Sequence, residues 1–331
     1  MELDNLDKKI LYLLDTDGRI SLKTIAKKSH TSAEVVRYRI ARLQKEGVIK
    51  KFISLVNFSE LGYIGHGVFC SFRGDKEREK GVKLLAEHDR IYWLAELGGS
   101  YDLAFAIMAK DTYEFYDILN HLKEKLDILL GTWEVAIRIR LIQFPRTYLL
   151  QEEEKRSERL PYFGKALGYR QIDEIDFKIL KRISQDARLE VNALAVSSGL
   201  PPSTAAFRLK KLEKNQVIQG YAPQIVCQNY GYQSYQLFLR VDNLNEQKRA
   251  NIFQYCASNP NVVFLVETLG KWNFEIIYEV GNQRELQKQM ANLRQRFPWL
   301  AQMETDIIFD HYLKYDQFPL NRSIGSNQSI S

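Results

Sequence analysis

Two stretches of the chain decide its fold, because they repeat one another: LDKKILYLLDTDGRISLKTIAKKS at residues 6–29 and IDFKILKRISQDARLEVNALAVSS at residues 175–198. Asp7 aligns with Asp176, a separation of 169 positions. The same separation joins further identical residues, namely Arg19/Arg188, Ala26/Ala195, Arg39/Arg208 and Gly62-Tyr63/Gly231-Tyr232. A repeat that keeps its register over so long a span predicts two copies of one structural unit in tandem.

The composition limits the class of protein. The 331 residues suffice for two or three domains, and 45% hydrophobic residues support packed cores. The net charge of +6 permits a polyanionic partner. The three cysteines form no CxxC pair, so we expect neither a metal site nor disulfides. With no basic, apolar leader and no apolar run of about 20 residues, the sequence predicts a soluble, cytoplasmic protein, outside any membrane and without a cofactor.

The first part of each unit has the pattern of three helices. In the first copy, apolar residues at helical spacing predict a helix that ends near Asp17-Gly18, and Ser21 is placed to cap a second helix, residues 22–28. Thr31 and Glu34 then have the spacing of a capping box at the start of a third helix that runs to about Glu46. This order predicts a helix-turn-helix, whose third helix enters the major groove of DNA.

The candidate DNA-binding residues lie on the third helix and on the basic strand that follows it, residues 47–53, which we expect to form a wing. In the first copy they are Ser32, Ala33, Glu34, Arg37, Tyr38, Arg39, Arg42, Lys50 and Lys51. In the second copy they are Ser203, Thr204, Arg208 and Lys211. Because Arg37 is replaced by Ala206, and Lys50-Lys51 by Gln219-Gly220, we expect the two heads to read DNA unequally. The alternative is a head that only supports assembly, with its charges solvated.

The second part of each unit predicts a ferredoxin-like β-α-β-β-α-β domain. In copy one the pattern gives strands at 66–73, 91–97, 102–109 and 131–142, with helices at 76–87 and 112–127. In copy two it gives strands at 234–241, 262–269, 273–280 and 301–313, with helices at 245–257 and 282–297. The fold class is therefore α+β, two tandem units. The expected domains are 1–57 (winged helix-turn-helix), 58–144 (ferredoxin-like), 145–171 (a solvated connector), 172–226 (second winged helix-turn-helix), 227–316 (second ferredoxin-like domain) and 317–331 (a disordered tail).

The sequence resembles the Lrp/AsnC family of prokaryotic transcription regulators. The resemblance rests on the head pattern over residues 6–49, on the joint Leu61-Gly62-Tyr63, and on the turn LGGSYDL at residues 97–103, which recurs as LGKWNF at residues 269–274. It covers nearly the whole chain apart from connector and tail. It implies a DNA-binding head and a companion domain that dimerises and often senses an amino acid.

The resemblance places a small-molecule effector at the turn between the second and third strands of the companion domain. The matching residues are Gly99, Ser100, Tyr101 and Asp102, and in copy two Gly270, Lys271, Trp272 and Asn273. Glycine exposes backbone amides that can bind a carboxylate, and Asp102 could hold an ammonium group. Since Asn273 replaces the aspartate, we expect a weaker or inactive second site. The alternative is a plain tight turn, in which the aspartate bonds its own backbone.

Family members dimerise through the companion domain, so the resemblance implies an internal pseudo-dimer in which the two heads face two half-sites of double-stranded DNA, with further homo-oligomers conceivable. We expect no enzymatic activity. The alternative class is an enzyme similar to the siroheme decarboxylases, which share both domains; the segments IYWLAELGGSYDLAFAI and VVFLVETLGKWNFEIIYEV, however, contain no histidine or arginine that could serve a tetrapyrrole substrate. A ligand-binding protein with heads that no longer bind DNA is the third possibility.

Overall fold

The architecture was analysed on a computed structural model, which describes residues 1–126, 130–150, 162–164, 168–308 and 312–320. In the first unit the helices are α1 (Asn5–Thr16), α2 (Leu22–Lys28), α3 (Ala33–Lys45), α4 (Asp75–Glu87) and α5 (Thr112–Leu126), and the strands are β1 (Ile49–Val56), β2 (Ile64–Phe72), β3 (Ile91–Gly98), β4 (Leu103–Ala109) and β5 (Leu130–Gln143). β6 (Tyr162–Gly164) belongs to the connector. In the second unit the helices are α6 (Glu174–Gln185), α7 (Val191–Ser198), α8 (Pro202–Lys214), α9 (Glu246–Ser258) and α10 (Gln283–Arg296), and the strands are β7 (Ile218–Ile225), β8 (Gln233–Val241), β9 (Val262–Gly270), β10 (Phe274–Val280), β11 (Leu300–Ile308) and β12 (Lys314–Tyr315).

The helices of the first head begin where side chains satisfy their free amides. Asp4 caps α1 and forms a reciprocal capping box with Asp7, and Ser21 caps α2 as expected. The capping box expected between Thr31 and Glu34 is wrong: Ser32 is the N-cap of α3, and its hydroxyl accepts a hydrogen bond from the Val35 amide. The hydroxyl of residue 32 competes successfully because it lies one residue closer to the helix.

The two heads are joined by a two-stranded antiparallel ribbon of β1 and β7. Ile53 faces Ala222, its equivalent in the other copy, so an approximate two-fold axis passes through this pair. Pairs of equivalent hydrogen bonds support that symmetry and run between the copies: Gly18 N to Tyr221 O (2.7 Å) with Ala187 N to Phe52 O (3.1 Å), and Asn57 N to Val217 O (2.8 Å) with Val226 N to Val48 O (2.9 Å). The strand expected to act as a wing therefore bonds to its counterpart in the other copy.

The two companion domains share one sheet that closes on itself. Its strands follow the order β11-β8-β10-β9-β5-β2-β4-β3, and β3 in turn pairs with β11 and β12. β5 and β9 join the copies on one side, and β3 joins them on the other. Large aromatic side chains fill much of the interior, where Phe69 of β2 meets Phe238 and Trp272 edge-on. Helices α4 and α5, and α9 and α10, cover the outer faces.

Three expectations about the ends of the chain segments need correction. The strand expected at 301–313 ends at Ile308, and the short strand β12 follows it at Lys314. The connector is not simply solvated, because Arg146 is buried and β6 pairs with β5. The expected tail includes ordered residues 317–320, and fully buried Phe318 lies 5.1 Å from Phe177 of α6, ring centre to ring centre. The charge run 151–159 and residues 321–331 lie outside the described residues.

Candidate nucleic-acid interface

The third helix of each head presents an exposed face. On α3, Ser32, Glu34 and Arg37 are exposed, and 65% of Tyr38 is accessible. Ala33 is half-buried beside them. On α8, Ser203 is exposed and Thr204 is half-buried, and Phe207, the equivalent of Tyr38, is 67% accessible. An exposed aromatic ring at the same position of both helices is unusual on a face that meets only water, so these faces are the candidate reading surfaces.

Several basic residues that the sequence assigned to DNA are occupied inside the heads. Arg39 donates to Asp7 (3.1 Å) and to Asp4 (2.5 Å), and Arg42 also donates to Asp7, which is completely buried. The second head repeats this arrangement, with Arg208 donating to Asp173 and Asp176 and Lys211 3.9 Å from Asp176. The repeated Asp7/Asp176 pair was the available signal, since a buried carboxylate requires a cationic partner.

The pKa values of the capping carboxyls shift in the direction that this arrangement implies. Desolvation alone would raise the pKa of Asp4, but the hydrogen bond from the Asp7 amide and the Arg39 side chain lower it by more, so the net shift is downward. In the second head, the hydrogen bond from the Asp176 amide and the Arg208 side chain lower the pKa of Asp173. These arginines therefore fasten the third helix to the first, and their contact with DNA stays a prediction.

The basic residues Lys50 and Lys51 lie at the start of β1, in the ribbon between the heads. Lys50 is exposed and Lys51 is half-buried. Partial burial, together with the neighbouring Lys51 charge, lowers the pKa of Lys50. Lys50 and Lys51 therefore place two positive charges at the start of the ribbon, and their contact with phosphate stays a prediction.

The repeated arginines Arg19 and Arg188 have a role that the sequence did not reveal. Arg19 donates to the Leu189 carbonyl (3.2 Å) and Arg188 to the Ile20 carbonyl (3.4 Å), so each reaches into the other copy. The Arg19 guanidinium also lies 5.0 Å from the centre of the Tyr221 ring. These equivalent contacts fix the two heads against one another.

The candidate effector turn of copy one is tightly packed against copy two. Gly99 has a φ of +154°, and a Cβ placed there would overlap Oδ1 of Asp306. The same Asp306 oxygen accepts a hydrogen bond from the Ser100 amide (2.9 Å). Burial raises the pKa of Asp306, although hydrogen bonds from the backbone offset part of this effect. The exposed amide expected to receive a ligand carboxylate is thus bonded to a protein carboxylate.

Asp102 and Asn273 make the same structural hydrogen bond. Oδ2 of Asp102 accepts from the Phe72 amide, and Oδ1 of Asn273 accepts from the Val241 amide, each at 2.7 Å. The exchange of aspartate for asparagine therefore preserves a bond that ties the turn to the neighbouring strand, β2 or β8, and not a bond within the turn itself.

The remaining turn residues join the copies. Tyr101 and Trp272 are buried, and Gly270 pairs with Ala136 of β5. Lys271 donates to the Tyr101 hydroxyl (3.3 Å) and lies 3.7 Å from Glu304. Ligand binding at these turns stays a prediction.

A buried ionic cluster connects the first head to the second companion domain. The Arg146 guanidinium donates to Asp15 of α1 and, through two nitrogens, to Glu279 of β10, with every distance 2.8 Å. The Tyr148 hydroxyl donates to the same Glu279. The sequence places Arg146 in the connector and predicts neither partner, because both lie more than a hundred residues away from it.

Membrane-spanning and metal-binding roles find no structural basis in the described part of the chain. Across those ranges, no helix combines the length and apolar character that crossing a bilayer requires. Nor does any group of three or more histidine, cysteine, aspartate or glutamate residues in the same ranges have a geometry suited to a metal ion.

Comparison with known proteins identifies both heads. A family model described as winged helix-turn-helix DNA-binding matches residues 3–50 and residues 172–219. The chain is 34% identical over 119 residues to the HTH-type transcriptional regulator FL11 of Pyrococcus furiosus. The aligned segment makes up 36% of this chain and 78% of that relative. It is 31% identical over 132 residues to the uncharacterized HTH-type transcriptional regulator PH0140 of Pyrococcus horikoshii, and the aligned segment makes up 40% of this chain and 84% of that relative.

A solved structure shows the tandem fold over its whole length. The siroheme decarboxylase NirDL superposes with a TM-score of 0.59 and covers 96% of both chains, at 14% sequence identity. At that identity the likeness concerns the fold alone, and it confirms the predicted α+β architecture of two head-plus-companion units.

Proposed function

Because the chain belongs to the Lrp/AsnC family of helix-turn-helix transcriptional regulators, we propose that it regulates transcription by binding double-stranded DNA in a sequence-specific manner. The observation that carries this proposal is the presentation of α3 and α8 by two heads related by an approximate two-fold axis. Paired heads of this kind read two half-sites in neighbouring major grooves.

The two half-sites should differ in sequence and in contribution. On α3 the exposed face carries Arg37 and Tyr38, whereas on α8 the equivalent positions are Ala206 and Phe207. An arginine can form two hydrogen bonds to guanine, but alanine and phenylalanine offer only apolar contact. The preferred site is therefore an imperfect palindrome, in which the half-site read by α3 supplies most of the specificity.

A random-pool DNA selection with the full-length protein at fixed salt concentration tests this function. The expected result is an enriched site with two unequal halves, whose affinity falls as salt is raised. Footprinting of that site should protect both halves. The absence of any enriched sequence, together with binding that does not respond to salt, would contradict the proposal.

Two variants separate base reading from phosphate contact. Arg37→Ala should cost about 1–3 kcal/mol on the selected site and relax the preference at one base pair. Lys50→Ala combined with Lys51→Ala should weaken binding to all sequences alike and reduce the salt slope by about 1 for each phosphate that the variant no longer neutralises. Lys83→Ala, an exposed lysine on α4 outside both heads, is the matched control and should leave affinity and salt slope unchanged.

A small-molecule effector, for which an amino acid is the class that the resemblance implies, completes the proposal. The two turns at residues 97–103 and 269–274 lie where the copies meet, so a ligand there could alter how the heads are held. The test is DNA affinity measured with and without each of the twenty amino acids. A change of less than twofold with all of them would remove the effector from the proposal.

The enzyme alternative finds little support in the chemistry of the companion domains. His66 of β2 is buried and stacked on Phe115 at 4.0 Å, and desolvation lowers its pKa to about 4. A neutral imidazole held against a ring is poorly suited to donate a proton at neutral pH. Siroheme-induced thermal stabilisation of several degrees, with a tetrapyrrole absorbance band retained after gel filtration, would favour the enzyme instead.

A further inference from the structure

A cavity lies between the two halves of the closed sheet, and its lining residues include none from α3 or α8. Its volume is roughly 700 Å³ including the part that is open to solvent. Both copies contribute to its wall. The aromatic part of that wall consists of Phe58, Tyr92, Trp93, Phe163, Phe264, Tyr312 and Tyr315.

One end of the cavity carries a guanidinium that is only partly paired. Only 8% of the Arg138 side chain is exposed, and it lies over the Trp93 ring at 4.8 Å. Nη1 donates to the Tyr92 hydroxyl at 3.3 Å, and Nη2 is 3.6 Å from Glu275, beyond hydrogen-bond distance. Nε has no hydrogen-bond partner among the residues that the structure describes. Arg138 thus forms an ion pair with Glu275 but has one buried N–H without a partner in the described ranges, and a guanidinium can hold a carboxylate through two of its N–H groups.

A second polar group of the cavity wall, Gln236, contacts the same Glu275 oxygen that faces Arg138, and its acceptor has no partner among the described residues. Gln236 is 1% exposed, and its Nε2 donates to Glu275 at 2.9 Å, which turns its carbonyl oxygen away from that carboxylate. Within the described part of the chain, this Oε1 atom receives no hydrogen bond. Glu275 is itself satisfied by Gln236 and by the Trp272 indole N–H at 3.2 Å. The Oε1 atom of Gln236 is therefore the acceptor here that lacks a hydrogen-bond donor in the chain as described.

Gln236 and Glu275 belong to the second copy, and the equivalent positions of the first copy hold no polar side chain. The position of Gln236 on β8 corresponds to Gly67 on β2, and the position of Glu275 on β10 corresponds to Ala104 on β4. Packing of two equivalent sheets would need no such difference. Burying a polar group without a partner costs about 1–3 kcal/mol, so a purely structural interior would favour the small residues of the first copy.

From these observations we propose that the cavity binds a small planar aromatic monocarboxylate that carries a ring N–H or O–H group. The carboxylate is held by Arg138, the donor group by Oε1 of Gln236, and the ring by the aromatic wall. The wall also excludes water, which strengthens both polar contacts. This site is separate from the turns at residues 97–103 and 269–274.

The position of the cavity couples it to both heads. Phe58 and Ser59, which line it, directly follow the ribbon strand β1. On the other side, Tyr315 and Gln317 line it just before Phe318, which packs on Phe177 of α6. A ligand in the cavity would therefore contact segments that connect directly to the first head and pack against the second. This coupling rests on the proposed function, but binding itself does not, and it is measured without DNA.

Indole-3-carboxylate is the probe, followed by isothermal titration calorimetry and by thermal stabilisation of the full-length protein. Trp93 lines the cavity, so a Trp93→Ala variant should bind the probe more weakly than the wild type. Indole-3-carboxamide, which lacks the charge, and 1-methylindole-3-carboxylate, which lacks the N–H, should each bind about 10-fold more weakly.

The site is assigned by variants. Arg138→Gln should weaken the carboxylate at least about 10-fold, whereas Arg140→Gln should not, because Arg140 lies on the same strand outside the cavity and pairs with Glu267. If Arg138→Gln does not fold, Gln236→Met carries the test, since it should bind the N–H and N-methyl probes equally well. The inference is overturned if the wild type binds no probe at 5 mM (roughly the weakest affinity of interest), if it fails to discriminate the carboxylate from the carboxamide, or if Arg138→Gln binds as the wild type does.

Discussion

Replacement of Arg146 by methionine tests whether the first head is fastened to the second companion domain by a buried ionic cluster. Methionine retains most of the length of the arginine side chain but removes the charge and the three side-chain hydrogen bonds to Asp15 and Glu279. The side chains of Asp15 and Glu279 are 0% and 5% exposed, so water cannot take the place of the guanidinium. Removing one partner of such a buried pair typically costs about 3–5 kcal/mol.

The magnitude can be worked out from protonation. A buried carboxylate that loses its cation can become neutral instead, at about 1.4 kcal/mol for each unit between the pH and its ordinary pKa. With the ordinary value of 3.8 for Asp15, this limits the cost to about 4 kcal/mol at pH 7 and about 2 kcal/mol at pH 5. Glu279 keeps the Tyr148 hydroxyl as a donor and adds less.

The sign of the pH dependence follows from the raised pKa of Asp15. Burial already raises this pKa in the native protein although Arg146 opposes the shift, and the variant loses that opposition. The folded variant therefore binds a proton more tightly than the unfolded chain, and its stability recovers as the pH falls below the raised pKa toward the ordinary value of 3.8. The loss of stability relative to the wild type should be largest at pH 7 and about half as large at pH 5.

Urea denaturation followed by circular dichroism at pH 7 and pH 5 measures both quantities. Arg170→Met is the matched control: its ion pair with Glu60 is 49% and 26% exposed, so its removal should cost less than about 1 kcal/mol at either pH. The reasoning is refuted if Arg146→Met lies within 1 kcal/mol (roughly the cost of an exposed pair) of the wild type at pH 7, or if its deficit does not shrink at pH 5.

Three further predictions concern buried side chains, a close backbone approach and a buried ion pair. Phe318→Ala should cost about 3–5 kcal/mol in urea denaturation, because this ring is fully buried against Phe177, whereas a disordered tail would give no change. Gly99→Ala should cost about 1–3 kcal/mol, measured as a lower midpoint, since its Cβ would overlap Asp306; an unchanged midpoint would refute the close approach. Asp7→Asn should cost about 1.5–3 kcal/mol by leaving two arginines of α3 poorly paired, and equal stability would show that those pairs are incidental.

The order of elements could be predicted because it depends on local patterns. The second helix was expected at residues 22–28 and is found there, since both the Ser21 cap and the apolar spacing are properties of one short segment. The strands and helices of the companion domains shift by only a few residues, apart from the break after Ile308. Edges are less certain than elements, because the last turn or pair depends on tertiary contacts.

The surroundings of the candidate DNA-binding residues were only partly predictable. A basic residue on an exposed helical face has the same sequence signal whether it contacts phosphate or a carboxylate elsewhere. Arg39 lies 32 positions from its partner Asp7, a distance at which no helical spacing rule applies. Arg37 and Tyr38 remain as candidates because the structure leaves them exposed.

The repeat that opens both halves of the chain determined the tandem architecture, the helix-turn-helix heads and the family. These follow from periodicity, capping and similarity, which can be read within continuous stretches of sequence. Tertiary structure decided how the copies meet: the ribbon of β1 and β7, the closed sheet, the crossing of Arg19 and Arg188, and the cavity at Arg138. Each of these joins residues more than a hundred positions apart, or side chains contributed by both copies. Such contacts are selected by burial and by the pairing of polar groups in three dimensions, which no local pattern encodes.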